Sequence, residues 1–141
     1  MMSKFTNFLE AREQAWHEAS SLEEELVLEC LLCGRLPMRV SSLDQVISKA
    51  IYLYGVFEAP ELAFIRGVVR PGATVVDAGA NIGVHTLVMA DCVGASGMVH
   101  AFEPSAAFRL LKENVQLNGF QSRTKLHNIG LAACRTFRAS K

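Results

Sequence analysis

Residues 75–86 read VVDAGANIGVHT. A β-branched run meets an acid, two glycines and an asparagine, and an apolar pattern at helical spacing resumes at Val84, Leu87 and Val88. A strand that turns this sharply into a helix leaves room for a ligand at the turn. Gly79 lets the backbone pass close to a ligand, and Gly83 lets the following helix pack tightly on the strand. Asn81 stands where a middle glycine is expected, and Asn is among the non-glycine residues that best tolerate positive φ. The helix N-terminus beyond offers free N–H groups and a partial positive charge. Glu103 closes a second apolar run, MVHAFE, 24 positions after Gly79. A carboxylate so placed can accept hydrogen bonds from both hydroxyls of a ribose.

Two nucleotide-type ligands compete for such a turn. The dinucleotide fingerprint needs glycines at i, i+2 and i+5, whereas this chain supplies them at i and i+4. Asp77 is also an unwelcome charge beside a pyrophosphate. An acid at that place suits a ligand with a cationic group, such as an α-amino group. An amino acid joined to a nucleoside meets both requirements, and S-adenosylmethionine is that molecule. No catalytic residue stands out. His85 lies one turn into the helix, and His100 and His127 lie inside expected strands; each reads as a packed or hydrogen-bonded side chain. Cys30 and Cys33 have CxxC spacing, but no second CxxC or nearby His pair completes a zinc site. They read as small buried hydrophobes on one helical face, Cys92 and Cys134 as similarly structural, and no metal is expected.

The elements that position these residues follow from periodicity and capping signals. Residues 3–33 contain strong helix formers and neither Pro nor Gly, with a second helix starting near Ser20 or Ser21 and carrying Glu23–Glu25 on a solvated face. Gly34 and Pro37 end that region. Ser41 or Ser42 caps a helix that closes at Gly55, and residues 58–70 form another. Then the pattern changes: strand 73–79, helix 82–93, strand 98–103, a helix from Pro104 to Gly119, and a third strand within 122–131. That alternation implies right-handed βαβ units and a parallel sheet. The expected organisation is an N-terminal helical region, 1–57, ahead of an α/β Rossmann-like region, 58–141.

The joint pattern DAGANIG…FEP…ENVQLNG, with the lead-in YGVFEAPELAFIRGVVRPG, resembles the cofactor half of FkbM-type S-adenosylmethionine-dependent methyltransferases over residues 52–131. The resemblance implies a Rossmann-like class I methyltransferase fold and methylation of a hydroxyl, often on a sugar or secondary metabolite. It implies that Asp77, Gly79, Asn81 and Gly83 line the methionine end of the cofactor and that Glu103 takes the ribose. Glu58 matches an acid of the family's lead-in, with helix capping as the alternative role.

The bulk numbers bound the rest. The chain has 141 residues, half of them hydrophobic, and its charges balance to zero. Nothing suggests a nucleic-acid footprint or a membrane span, and the N-terminus carries charges where a signal peptide has an apolar core. The expectation is a cytoplasmic protein. In the strand order 3-2-1-4-5 the first strand is central, yet no fourth strand follows here, and the closing residues ACRTFRASK do not read as one. The sequence therefore looks truncated after its third strand, with doubtful activity alone. The open edge of the first strand is expected to self-associate or to meet a partner. A non-catalytic α/β fragment or interaction module, and another nucleotide-binding protein such as a dehydrogenase piece, are the alternatives.

Overall fold

The computed structural model describes residues 2–131, with side chains from Phe5 onward; Cys134 and the closing residues lie outside the described residues. The first helix, α1 (Met2–Ser20), is built from the helix formers noted above. Its length then departs from expectation. Residues 21–26 leave the helix, and the chain forms an antiparallel hairpin of β1 (Val27–Leu32) and β2 (Leu36–Ser41), with Val27 opposite Ser41 and Leu32 opposite Leu36. The expectation of helix through residue 33 is thus corrected, and the 1–57 region is not wholly helical.

The physical reason lies in the turn and the alternation. Cys33 and Gly34 both adopt positive φ, 51° and 71°, which ends any helix and folds the strands back on each other. On β2, Leu36, Met38 and Val40 point inward and are buried, the period of two that a half-buried strand requires. Cys30 and Cys33 consequently do not share a helical face. Cys30 lies on β1 and is partly buried, and Cys33 sits exposed in the turn. Burial raises the Cys30 thiol to about 11, so it stays protonated and unreactive at neutral pH.

The next helix, α2 (Ile47–Tyr54), is capped by neither Ser41 nor Ser42. Asp44 does this: its Oδ1 accepts from the Val46 and Ile47 N–H groups and its Oδ2 from Ser48 N–H. The expected stop at Gly55 is present, in the left-handed conformation. The glutamates 23–25 lie in the loop after α1 rather than in a helix, and Glu25 pairs with Arg109 at 2.7 Å. A further helix, α3 (Ala59–Val68), carries Pro60 in its first turn.

The remainder follows the expected alternation: β3 (Thr74–Ala78), α4 (Val84–Val93), β4 (Met98–Phe102), α5 (Phe108–Leu117) and β5 (Thr124–His127). Pro104 precedes a turn rather than opening α5 directly, and a 3-10 turn, Gln121–Arg123, shortens the third strand. The strands form a parallel sheet in the order β3-β4-β5, with Val76 beside His100 and Ala101 beside Leu126. This is the expected Rossmann-like arrangement. One face turns Asp77, Val99 and Ala101 into the core beneath α4 and α5. The opposite face leaves Val76 57% exposed, and no described strand pairs with the outer edge of β3.

One contiguous core joins the N-terminal hairpin to the sheet region. It runs from Trp16, Leu32, Met38 and Ile51 to Leu87, Val99 and Leu111. Trp16 packs against Tyr52 and donates its indole N–H to Gln45. No helix among the described residues is long and apolar enough to cross a membrane.

Because Asp44 satisfies three first-turn donors of α2, Asp44→Ala is expected to lower stability by about 1 kcal/mol. Asp44→Asn should recover most of that loss. Urea unfolding of the three proteins checks it.

Candidate functional site

The residues singled out in sequence meet where β3 and β4 end. The turn after β3 is shaped by three consecutive constraints. Gly79 has φ 85°, and a side chain there would enter open space. Asn81 has φ 50°, the left-handed conformation expected of it. Gly83 has φ 101°, and a Cβ on it would stand 2.9 Å from Leu111 Cδ1. The close approach that requires this glycine is therefore to α5, not to the strand.

Glu103 lies just beyond β4 and is buried. Its Oε2 accepts from the Asn81 backbone N–H and its Oε1 from Ser105 N–H, both at 2.8 Å. The acid at the end of one strand thus holds the glycine turn that follows the other. Burial works to raise its pKa, but the donors of Ser105 and Asn81 outweigh it and hold the carboxyl below the ordinary 4.5. A carboxylate has about four acceptor positions. Two are used by these backbone groups and the Ser105 side chain engages a third, which leaves one position for an outside donor such as a ribose hydroxyl.

Asp77 has a different fate. It is buried under the turn, and its Oδ2 accepts from Thr86 Oγ1 at 2.5 Å. It ties the strand to the first turn of α4 from inside. In that first turn, the earliest intrahelical bond runs from Leu87 N–H to the Gly83 carbonyl. The N–H groups of Val84, His85 and Thr86 therefore have no partner within the helix, and a partial positive charge gathers there.

Beside the turn lies a cavity of about 620 Å³. Gly79, Ala80, Asn81 and His85 form one wall, and Ser48, Phe57 and Glu58 form another. Glu58 stands ahead of α3 with φ 53° and makes no capping hydrogen bond. The capping alternative is therefore not realised. Its Oε2 instead lies 3.2 Å from His85 Nε2, an ion-pair distance whose angle is not that of a hydrogen bond, since Nε2 has no aligned partner. The other histidines are packed, as expected: His100 and His127 bring ring nitrogens to 3.2 Å, and Phe102 stacks on His127. Among the described residues no group of three His, Cys, Asp or Glu is placed to hold a metal.

Sequence reasoning missed the residue that fastens this site to the N-terminal hairpin. Asn114, fully buried on α5, accepts from Arg39 N–H at 2.6 Å and donates to the Arg39 carbonyl at 3.0 Å and the Ile82 carbonyl at 2.8 Å. Four residues on, Asn118 donates to the Pro37 carbonyl. The available signal was a pair of asparagines at i and i+4 on one face of an otherwise good helix, where Asn is a poor former.

Removing the Asn114 amide leaves the Arg39 and Ile82 backbone groups unpaired in a buried place. Asn114→Ala is expected to destabilise by roughly 1–3 kcal/mol for each group left so; denaturant unfolding measures it. A second expectation concerns acid. The Glu103 pKa is depressed in the folded state, so its contribution is fully present above the ordinary carboxylate pKa and is lost as pH falls through the lowered value. Wild type should therefore lose stability across that window more steeply than Glu103→Ala, in unfolding midpoints measured at successive pH values.

No protein-family model and no curated protein sequence matches this chain. Solved structures do. A candidate transferase of Pyrococcus horikoshii matches with a TM-score of 0.59 and 24% identity, over 76% of this chain and 37% of its own. TYW2 of P. horikoshii, solved in complex with MeSAdo, matches with a TM-score of 0.55 and 23% identity, over 77% of this chain and 38% of its own. A SAM-dependent O-methyltransferase of Thermotoga maritima matches with a TM-score of 0.48 and 26% identity, over 52% of this chain and 29% of its own. The matches thus span well under half the length of these proteins. What the chain shares with the two P. horikoshii proteins is the fold, a Rossmann-like α/β architecture.

Proposed function

We propose that this chain binds S-adenosylmethionine and serves in methyl transfer to a hydroxyl, of the FkbM type that its motifs resemble. The observation that carries the reading is the bond from Asn81 N–H to Glu103, which ties the strand-end acid to the glycine turn. The local chemistry fits the molecule. Open space lies before Gly79, Glu103 keeps an unused acceptor position, and the first turn of α4 presents donors with no partner within the helix. TYW2, a protein of this fold, was solved in complex with MeSAdo, and that supports the assignment.

In this reading Glu103 takes the ribose hydroxyls, and Gly79 and Asn81 border the methionine end. Asp77 and Gly83 act on the turn's shape, one through Thr86 and the other through its contact with Leu111. Bound there, S-adenosylmethionine supplies an electrophilic methyl group on a sulfonium. The acceptor hydroxyl must then be held in line with it, and such alignment is worth roughly 7–11 kcal/mol in favourable cases. The dehydrogenase alternative is disfavoured by the spacing of the glycines.

Calorimetry with S-adenosylhomocysteine and with NAD tests the reading. The chain is expected to take the first and not the second. Glu103→Ala should weaken S-adenosylhomocysteine by about tenfold or more, since charge-assisted hydrogen bonds contribute roughly 1.5–3 kcal/mol each. Glu24→Ala, in the exposed loop after α1, should leave it unchanged. Binding of NAD in preference would favour the dehydrogenase reading, and binding of neither would favour a non-catalytic α/β module.

A further inference from the structure

We propose that two copies of this chain pair through the outer edges of β3, antiparallel about a two-fold axis at Val76. This pairing is independent of the cofactor reading above.

The hydrogen bonds between β3 and β4 determine which backbone groups are left over. Ala73 accepts from the Met98 N–H and Gly79 donates to the Phe102 carbonyl. The odd-numbered residues of this stretch therefore turn their N–H and C=O toward β4, and the even-numbered ones turn theirs away. Thr74, Val76 and Ala78 each present an N–H and a C=O at the outer edge, where no strand pairs among the described residues. Gly72 and Gly79, at φ 80° and 85°, leave the extended conformation at either end. The stretch that can pair is thus β3 itself.

That stretch is complementary to itself. In an antiparallel pair centred on Val76, the two Val76 residues exchange both of their hydrogen bonds. Thr74 of each copy does the same with Ala78 of the other. Every outward group of the edge finds a partner in this one register. The same axis sets Val76 against Val76 and Thr74 against Ala78 on the bare face of the sheet. Val76 is 57% exposed there, and cross-strand pairs of apolar β-branched residues stabilise a sheet. Asp77, the one charged residue of β3, is buried on the covered side, bonded to Thr86, and falls opposite Val75 of the other copy. No like charges meet. The whole chain carries 14 basic and 14 acidic residues, so net charge does not hold two copies apart.

The opposite edge of the sheet is guarded. β5 is four residues long and exposes Lys125, and both features discourage strand addition. β3 has no lysine or proline, and its register with β4 runs without a bulge. An isologous pair at β3 uses up the open strand and closes there, giving one sheet in the order β5-β4-β3-β3-β4-β5.

Sedimentation equilibrium on the full chain, from micromolar to millimolar concentration, tests this. Wild type is expected to pass from one copy per particle to two as concentration rises. Val76→Lys and Val76→Glu each bring like charges together at the axis, so each alone should raise the dissociation constant by roughly tenfold or more. An equimolar mixture of the two variants sets Lys against Glu and should recover the dimer. Far-UV circular dichroism matching wild type verifies that both variants fold. Hydrogen exchange needs no variant: the amides of Thr74, Val76 and Ala78 should gain protection as wild-type concentration rises. A wild type that stays monomeric throughout overturns the proposal, as do particles larger than a dimer, which a closed two-fold pair does not form. Dimers that both variants leave intact, or edge amides that stay unprotected, place the contact elsewhere and overturn it too. A mixture that fails to recover the dimer overturns the two-fold at Val76.

Discussion

The architecture depends on how one buried amide is used. Asn114 meets both backbone groups of Arg39 and the carbonyl of Ile82 at once, so a single side chain joins the hairpin, α5 and the glycine turn. Adhesion between the hairpin and the rest comes from elsewhere. Leu32, Met38 and Val40 are fully buried, and each such side chain contributes roughly 1.5–3 kcal/mol. That sum exceeds the net worth of the amide's bonds, about 0.5–1.5 kcal/mol each. Apolar burial is non-directional, however, and would tolerate a hairpin shifted along α5. The amide is satisfied in one register only, so it selects the arrangement that burial stabilises.

The cavity beside the turn inherits its shape from that selection. One wall comes from the segments around α2 and α3 and the other from the turn itself, so a slipped hairpin would separate them. Glu103 plays the corresponding part at the far end of the turn. Its bonds to Asn81 and Ser105 fix two loops that follow different strands. Holding donors and acceptors in place before a ligand arrives reduces the ordering cost of binding.

Much of this was legible in the sequence and some was not, for identifiable reasons. The βαβ alternation from Thr74 onward could be read because short β-branched runs, glycine stops and an amphipathic helix agree with one another there. The positive φ of Asn81 was legible because few other residue types tolerate it. The hairpin was not, because LVLECLL is a short leucine-rich run, and periodicity alone does not distinguish a short strand from a helix in such a run. What decided it was the left-handed pair Cys33 and Gly34, and Cys is not a residue that announces that conformation. Asp77 illustrates a second limit. Its type and place were clear, yet whether an acid beside a turn faces a ligand or the core depends on a hydroxyl, that of Thr86, nine residues away.

The sheet carries a further constraint. Parallel sheets are ordinarily covered on both faces, and the described residues cover only one here. On the other face His100, Phe102 and His127 stack on each other, so the side chains of β4 and β5 partly shield themselves. β3 has no such help: Val76 is exposed and the outer edge of the strand is unpaired among the described residues. The same strand delivers the glycine turn. Whatever steadies the turn must therefore come from its inner side, through Asp77 to Thr86, Gly83 against Leu111 and Glu103 to Asn81. Those three contacts all run from the turn toward α4, α5 and β4, which is why the crevice can be ordered while the edge beside it stays bare.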